Sequence, residues 1–413
     1  MEFGPIIKYY RLKSGITQAE LADGICSIPH LSKIENNAYS VNKETAALLM
    51  ERLGLDINDE VERYGVLEER LEEFIDALFY FELDKADELR LELEVDEEYY
   101  SKTNLVNLYH IYMGRYFFTK LDINSAQIHL QILERNRSNL SPIEELLFGY
   151  ISGSTFYQKG KYREALDYYL KLKTNNISSN TSISMKEISY QIALCYSALG
   201  QSENSIPYAQ EALYFYKEKD NFIRIIHTQM LQAINYESIK LYEEAKNNYN
   251  AILRNTKLLN LEDLYFKCLF NYSLLLSETN EHTKAIKYFK MCINYFKDQS
   301  EGQIIAIIEL AKVLIKADIK NNELENYIEQ LKKYKETENI TKRTKLLIKE
   351  QILNYEKDSE KIYSFYEKEL IPFIEKSKDE IYFRHYTLSL AKWYDSKNDI
   401  TMAHRYYKLY SLY

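Results

Sequence analysis

Gly160-Lys161-Tyr162-Arg163-Glu164-Ala165-Leu166-Asp167-Tyr168-Tyr169 is the stretch that decides the fold. A small residue, Ala165, stands where two helices must touch, and Tyr169 follows four places later on the same helical face. The same position returns at Ala86, Ala126, Ala165, Ser205, Ala245, Ala285, Leu324, Ile362 and Ala403, at intervals of 40, 39, 40, 40, 40, 39, 38 and 41 residues. A period held this closely denotes one supersecondary unit copied along the chain, each copy burying its apolar face against the next. Each copy reads as helix A, a short turn such as Lys159-Gly160-Lys161, and helix B. Other clear copies are Ala193…Tyr196…Gly200…Ser205…Ala209 and Ala233…Tyr236…Tyr242…Ala245…Tyr249. The copies at Leu324 and Ile362 are degenerate, and the one at Ala86 reads as a connector or a first degenerate copy.

Composition agrees with long helices. The 413 residues include only 11 Gly and 5 Pro, and 46% are apolar, enough for an extended core. The 39 Tyr are read as packing residues whose hydroxyls reach an edge or groove. Cys26, Cys195, Cys268 and Cys292 stand apart with no CxxC, so a reducing cytoplasm is expected, without disulfides or zinc. The N-terminus has no basic-then-apolar leader, and the most apolar run, Ile304 to Ile315, is broken by Glu309 and Lys312. No membrane partner is expected. Phosphate loops, HExxH, GxSxG and clustered Cys/His sets are all missing, and seven scattered histidines read as packed or surface residues. The expectation is therefore a protein that is not an enzyme and needs no cofactor or metal.

Charge is uneven. Residues 1–55 hold six Lys/Arg and six Asp/Glu, whereas residues 56–100 hold four against eighteen, within a net charge of −9. The run Glu68-Glu69…Glu72-Glu73…Asp76 reads as a solvated helix face, with repulsion of DNA as the alternative. Bulk charge does not advertise a nucleic-acid binder, so that reading must come from the head.

The head has its own logic. Pro5 to Lys13 has helical periodicity and stops at Ser14-Gly15. Thr17 with Glu20 forms a capping box for a second helix, which runs out at Asp23-Gly24. Ser27 caps a third helix, Ile28 to Glu35, with Pro29 tolerated in its first turn and Leu31 and Ile34 inward. Lys43 to Leu53 makes a fourth. This layout is helix-turn-helix. Thr17-Gln18-Ala19-Glu20-Leu21-Ala22 followed by Leu31-Ser32-Lys33-Ile34-Glu35-Asn36 resembles the phage-repressor (Cro/cI, XRE-type) DNA-binding head. That resemblance implies that Gln18 touches a phosphate, that Ser27, Ile28, Pro29, His30, Ser32 and Lys33 face the major groove, and that Glu35 closes the head. Its turn departs from the pattern, with Ile25-Cys26 where a glycine is common. Ile28 and Pro29 offer methyl contacts, which suit thymine.

The 40-residue copies resemble tetratricopeptide repeats, usually 34 residues long. The fold expected is all-α: a helix-turn-helix domain (1–58), an acidic helical connector (59–100) and a right-handed superhelix of about nine hairpins whose clear repeats fill 101–413. In such repeats the residue fourteen before the small residue of helix B faces a concave groove, which gives Gln191 and Asn271; Tyr157, Glu187, His227, Met230 and Lys267 lie near them. Amides suit a peptide because they donate and accept. A repressor-like head on long repeats resembles the peptide-pheromone regulators Rap, Rgg, NprR, PlcR and PrgX, nearest their NprR/PlcR branch. The resemblance implies a cytoplasmic transcription regulator that is a homodimer or higher oligomer, binds a double-stranded DNA operator, and is controlled by a short signalling peptide. A Rap-like binder or phosphatase of a response regulator, and a protein-binding scaffold, stay open as alternatives.

Overall fold

The computed structural model describes residues 2–174, 185–319, 322–338, 340–377 and 380–411, and the secondary structure among them is helical. The head comprises α1 (Phe3–Lys13), α2 (Gln18–Ala22), α3 (Ile28–Glu35) and α4 (Lys43–Arg52). Its caps follow the sequence: Thr17 and Glu20 close a capping box on α2, and the Ser27 side chain accepts from the His30 N–H at the start of α3. The first helix begins two residues before Pro5, which sits within its first turn, where a missing N–H breaks no helical bond. The turn between α2 and α3 is not without a glycine as read. Gly24 takes its left-handed place, at φ 66°, one residue ahead of Ile25-Cys26.

Beyond the head, nine helical hairpins are present among the described residues. They are α5 (Ile57–Tyr80) with α6 (Leu83–Val95); then, after the short α7 (Glu97–Tyr100), α8 (Val106–Thr119) with α9 (Ile123–Arg135); and α10 (Pro142–Gln158) with α11 (Tyr162–Thr174). Next come α12 (Met185–Ala198) with α13 (Ser202–Glu218), α14 (Phe222–Ser238) with α15 (Tyr242–Leu258), and α16 (Glu262–Glu278) with α17 (His282–Tyr295). The last three are α18 (Glu301–Lys316) with α19 (Asn322–Lys335), α20 (Lys342–Glu356) with α21 (Ser359–Phe365) and α22 (Ile371–Ser377), and α23 (Glu380–Ser396) with α24 (Ile400–Ser411). The chain forms two compact units, residues 1–191 and 192–413.

The small residues of the period sit where helices meet. Ala86, Ala126, Ala165, Ser205, Ala245 and Ala285 are 0% exposed, and Leu324 and Ala403 are nearly so. The acidic segment is thus a full hairpin rather than a connector: Ala86 is sealed against α5, while Glu68, Glu69, Glu72, Glu73 and Asp76 face solvent. In the eighth hairpin Ile362 is only half-buried, and a π turn, Tyr366–Leu370, separates α21 from α22. Tyr100, Tyr109, Tyr169, Tyr216 and Tyr249 are fully buried, as their number required.

A second period accompanies the first. Phe81, Leu121, Gly160, Gly200, Lys240, Asn280, Asp318, Lys357 and Asn398 all have φ between 51° and 71°. Each closes helix A in the left-handed conformation, and the following N–H bonds back to the last turn, as from Leu241 N to Tyr236 O at 2.8 Å. Joints between hairpins can be equally tight. Lys219, Asp220 and Asn221 alone join α13 to α14, and Leu259, Asn260 and Leu261 alone join α15 to α16.

Candidate functional site

In the head, α3 presents the outward set. Ser27, Ile28, Pro29 and Lys33 are exposed, Ile28 by 48%, and His30 and Ser32 are half-buried. The His30 ring meets Tyr39 edge-on at 5.1 Å. The inner face of α3 is pinned by Glu35, 2% exposed, which takes Arg11 in a fork at 2.6 and 2.9 Å. Gln18 stands at the first turn of α2, but its Nε2 donates to Glu35 Oε2 at 2.7 Å. One of its two amide hydrogens is therefore committed inside the head, leaving the other and the backbone N–H as donors. Gly4 lets α1 cross the end of α3: a Cβ there would collide with Ile34 O, which is backbone and cannot yield.

In the first unit the candidate groove residues meet partners that sequence reasoning missed. Glu187 and Gln191 come together with Arg115 and Tyr150 in one buried network. Arg115 Nη2 donates to Glu187 Oε1 at 3.0 Å, Tyr150 Oη donates to the same oxygen at 3.2 Å, and Gln191 Nε2 donates to Tyr150 Oη at 2.8 Å. Glu187 is 0% and Arg115 4% exposed. Glu187 is thus not an open groove carboxylate; it holds a buried guanidinium in place. Arg115 Nη1 is buried with no protein hydrogen-bond partner. An unpaired buried donor on a charged group is costly. Its signal was in the sequence: Arg115 is the sole Lys, Arg, Asp or Glu in the otherwise apolar stretch of α8. Tyr157 lies elsewhere, at the end of α10, packed on Tyr162 at 5.1 Å.

In the second unit, His227 and Lys267 occupy equivalent places on α14 and α16. Burial, then the charges of Arg224 and Lys267, push His227 down to about 3, so it is neutral near pH 7. Met230 packs against the unit's main core. Asn271 is half-buried beside the buried Tyr272. Farther on, Glu350 accepts from Tyr366 Oη at 2.7 Å and Tyr386 Oη at 3.0 Å, with burial raising its pKa. Nothing in the spacing of the sequence announced that cluster.

Among the described residues no helix is long and apolar enough to cross a membrane, and no cluster of three metal-ligating side chains occurs. The first unit also pairs His110 with His129, Nδ1 to Nδ1 at 3.0 Å. Burial and the second ring push His110 down to about 4, leaving it uncharged near neutrality.

Comparison with known proteins agrees with this layout. Residues 7–59 match the helix-turn-helix family model, and residues 187–219 match that of the tetratricopeptide repeat. The transcriptional activator NprA of Geobacillus stearothermophilus is 24% identical over 410 residues, covering 94% of this chain and 97% of its own length. The response regulator aspartate phosphatase A of Bacillus subtilis is 23% identical over 65% of this chain and 72% of its own. The quorum sensor NprR from B. thuringiensis, in its apo form, shares the fold with TM-score 0.67 at 23% identity, over 86% of this chain and 99% of NprR. NprR in complex with its cognate peptide NprX superposes with TM-score 0.65 at 23% identity, over 83% of this chain and 98% of that one. With a helix-turn-helix head, nine hairpins among the described residues and similarity to NprA along nearly the whole length, the chain is similar to the NprA and NprR regulators in sequence layout and in fold.

Proposed function

We propose that this protein is a cytoplasmic transcription regulator whose repeats bind a short signalling peptide and whose head reads an operator. The observation that carries the ligand half is Arg115, a buried guanidinium with Glu187 on one side and an unmet N–H on the other. A peptide carboxylate or carbonyl supplies the missing acceptor, and Gln191 and Tyr150 line its approach. The second unit, taken by itself, offers its own candidate peptide contacts in Lys267, Asn271, Met230 and the neutral His227. For the head, Ser27, Ile28, Pro29, His30, Ser32 and Lys33 face the major groove, with the exposed Ile28 against a thymine methyl. One short recognition helix reads half a site, so two copies of the chain act together. The protein works by binding, without catalysis.

The test uses fluorescein-labelled short peptides tiled from any small reading frame with a secretion signal that adjoins this gene, with anisotropy as readout. One peptide binds, and Arg115→Met weakens it at least about tenfold. A duplex from the adjacent promoter is retarded by the full chain, and His30→Ala with Lys33→Ala abolishes that while leaving peptide affinity intact. Failure of every peptide to bind overturns the ligand half. The similarity to aspartate phosphatase A favours a second reading, action on a response regulator, for which loss of phosphoryl label from that partner is the assay.

A further inference from the structure

Tyr10 and Arg11 are consecutive on α1, so their side chains point about 100° apart around its axis. Arg11 reaches inward to Glu35 on the recognition helix and to Ile16 O at 3.1 Å. Tyr10 reaches out of the head, to the first hairpin: its Oη donates to Glu60 Oε1 of α5 at 2.9 Å. The other oxygen of the same carboxylate, Glu60 Oε2, accepts from Tyr99 Oη of α7 at 3.0 Å. Glu60 is 6% exposed, so both bonds lie out of water, where a carboxylate is held firmly only if its oxygens are met. Arg63, one turn along α5, covers the assembly. Its guanidinium lies 4.2 Å from the Tyr99 ring centroid, Nη1 donates to Tyr10 Oη at 3.2 Å, and Nη2 donates to Asp96 at 3.0 Å. All of these residues belong to the first compact unit.

We infer that Glu60 is a positioning residue for DNA reading: by bonding Tyr10 of the head and Tyr99 of the repeats at once, it fixes the angle at which the recognition helix is presented. The head is braced rather than tethered. Arg11 makes α1 rigid with α3, and Glu60 makes α1 rigid with α5 and α7. The brace also touches the candidate ligand site through a shared element. Tyr100, next to Tyr99, stacks on Tyr109 of α8 at 5.0 Å and 15°, and α8 carries Arg115. A ligand that shifts α8 thus has a packed route to the carboxylate that aims the head. The tyrosine hydroxyls are suited to constant donation. Burial and Glu60 push Tyr10 up to about 12 and raise Tyr99 further, so neither loses its proton in the physiological range.

This inference rests on the head being the DNA-reading part, but its test needs neither operator nor peptide, so its failure is distinct from theirs. Nitroxides are placed at Glu44→Cys on α4 and Glu88→Cys on α6 in a full-length Cys26→Ser background. Labelled protein is diluted with unlabelled chain, so that electron–electron double resonance reports distances within one molecule. The parent gives one narrow distribution. Glu60→Ala broadens it about twofold without lowering the repeat body's helical content, and Glu60→Gln, which keeps one acceptor oxygen, recovers part of the width. Should Glu60→Ala not fold, Tyr10→Phe removes one of the two bonds and gives an intermediate width. Equal widths in the parent and in whichever of these variants folds, or a parent distribution already broad, overturn the proposal.

Discussion

At the scale of single residues, two buried carboxyls make opposite predictions. Glu237 lies under Tyr249, whose Oη is 3.4 Å away, and burial with the charge of Glu278 pushes it up to about 7 from an ordinary 4.5. A carboxyl raised in the folded state stabilises most when protonated. Its contribution is complete below about 4.5 and is lost as pH climbs through about 7. Glu237→Gln is therefore expected to raise the melting temperature at pH 8 and change it little at pH 4.5, read by circular dichroism. Glu187 differs in its partner, a buried ion pair with Arg115 at 3.0 Å. Arg115→Met alone removes the buried ion pair and costs about 3–5 kcal/mol in urea melts, whereas Arg115→Met with Glu187→Leu recovers most of it. Non-additivity of that size is the signature of a direct pair.

Among the elements, the turn that ends each helix A shows what could be read beforehand and what could not. The small residues at the crossings were legible because a helix pair cannot close on a large side chain, so Ala86 through Ala403 stand out by spacing alone. The left-handed residue five or six places earlier was not. It is glycine only at Gly160 and Gly200, and elsewhere the packed hairpin forces Phe81, Leu121 or Lys240 into the same conformation. Tertiary packing overrides the local preference, and the identity of the residue hides it. Leu121 is 74% exposed, so Leu121→Gly gives up little buried surface. It removes about 1–2 kcal/mol of left-handed strain against about 0.5–1 kcal/mol of added chain entropy, and a net gain of a few tenths to about 1 kcal/mol is expected in chemical denaturation. The candidate sites divide the same way. The capped α3 and its outward residues followed from local signals, whereas the partnership of Arg115 with Glu187 joins residues 72 apart and only the fold could make it.

For the whole molecule, the prediction concerns assembly. A head with one eight-residue recognition helix and a neutral charge balance binds one half-site weakly, so the regulator reading requires two chains per operator. Sedimentation velocity is expected to show a concentration-dependent monomer–dimer boundary, with operator retardation rising as the square of protein concentration. A strictly monomeric boundary with first-power retardation contradicts it. The three-residue joints before α14 and α16 carry a last implication, for how this lineage can change in length. A single residue added inside α15 or α16 turns the rest of that helix by about 100° and carries its buried face out of register, whereas one added between Leu259 and Leu261 lies outside both helices. Added length in this lineage is therefore expected at the joints or as a complete 40-residue module, and not within the packed helices.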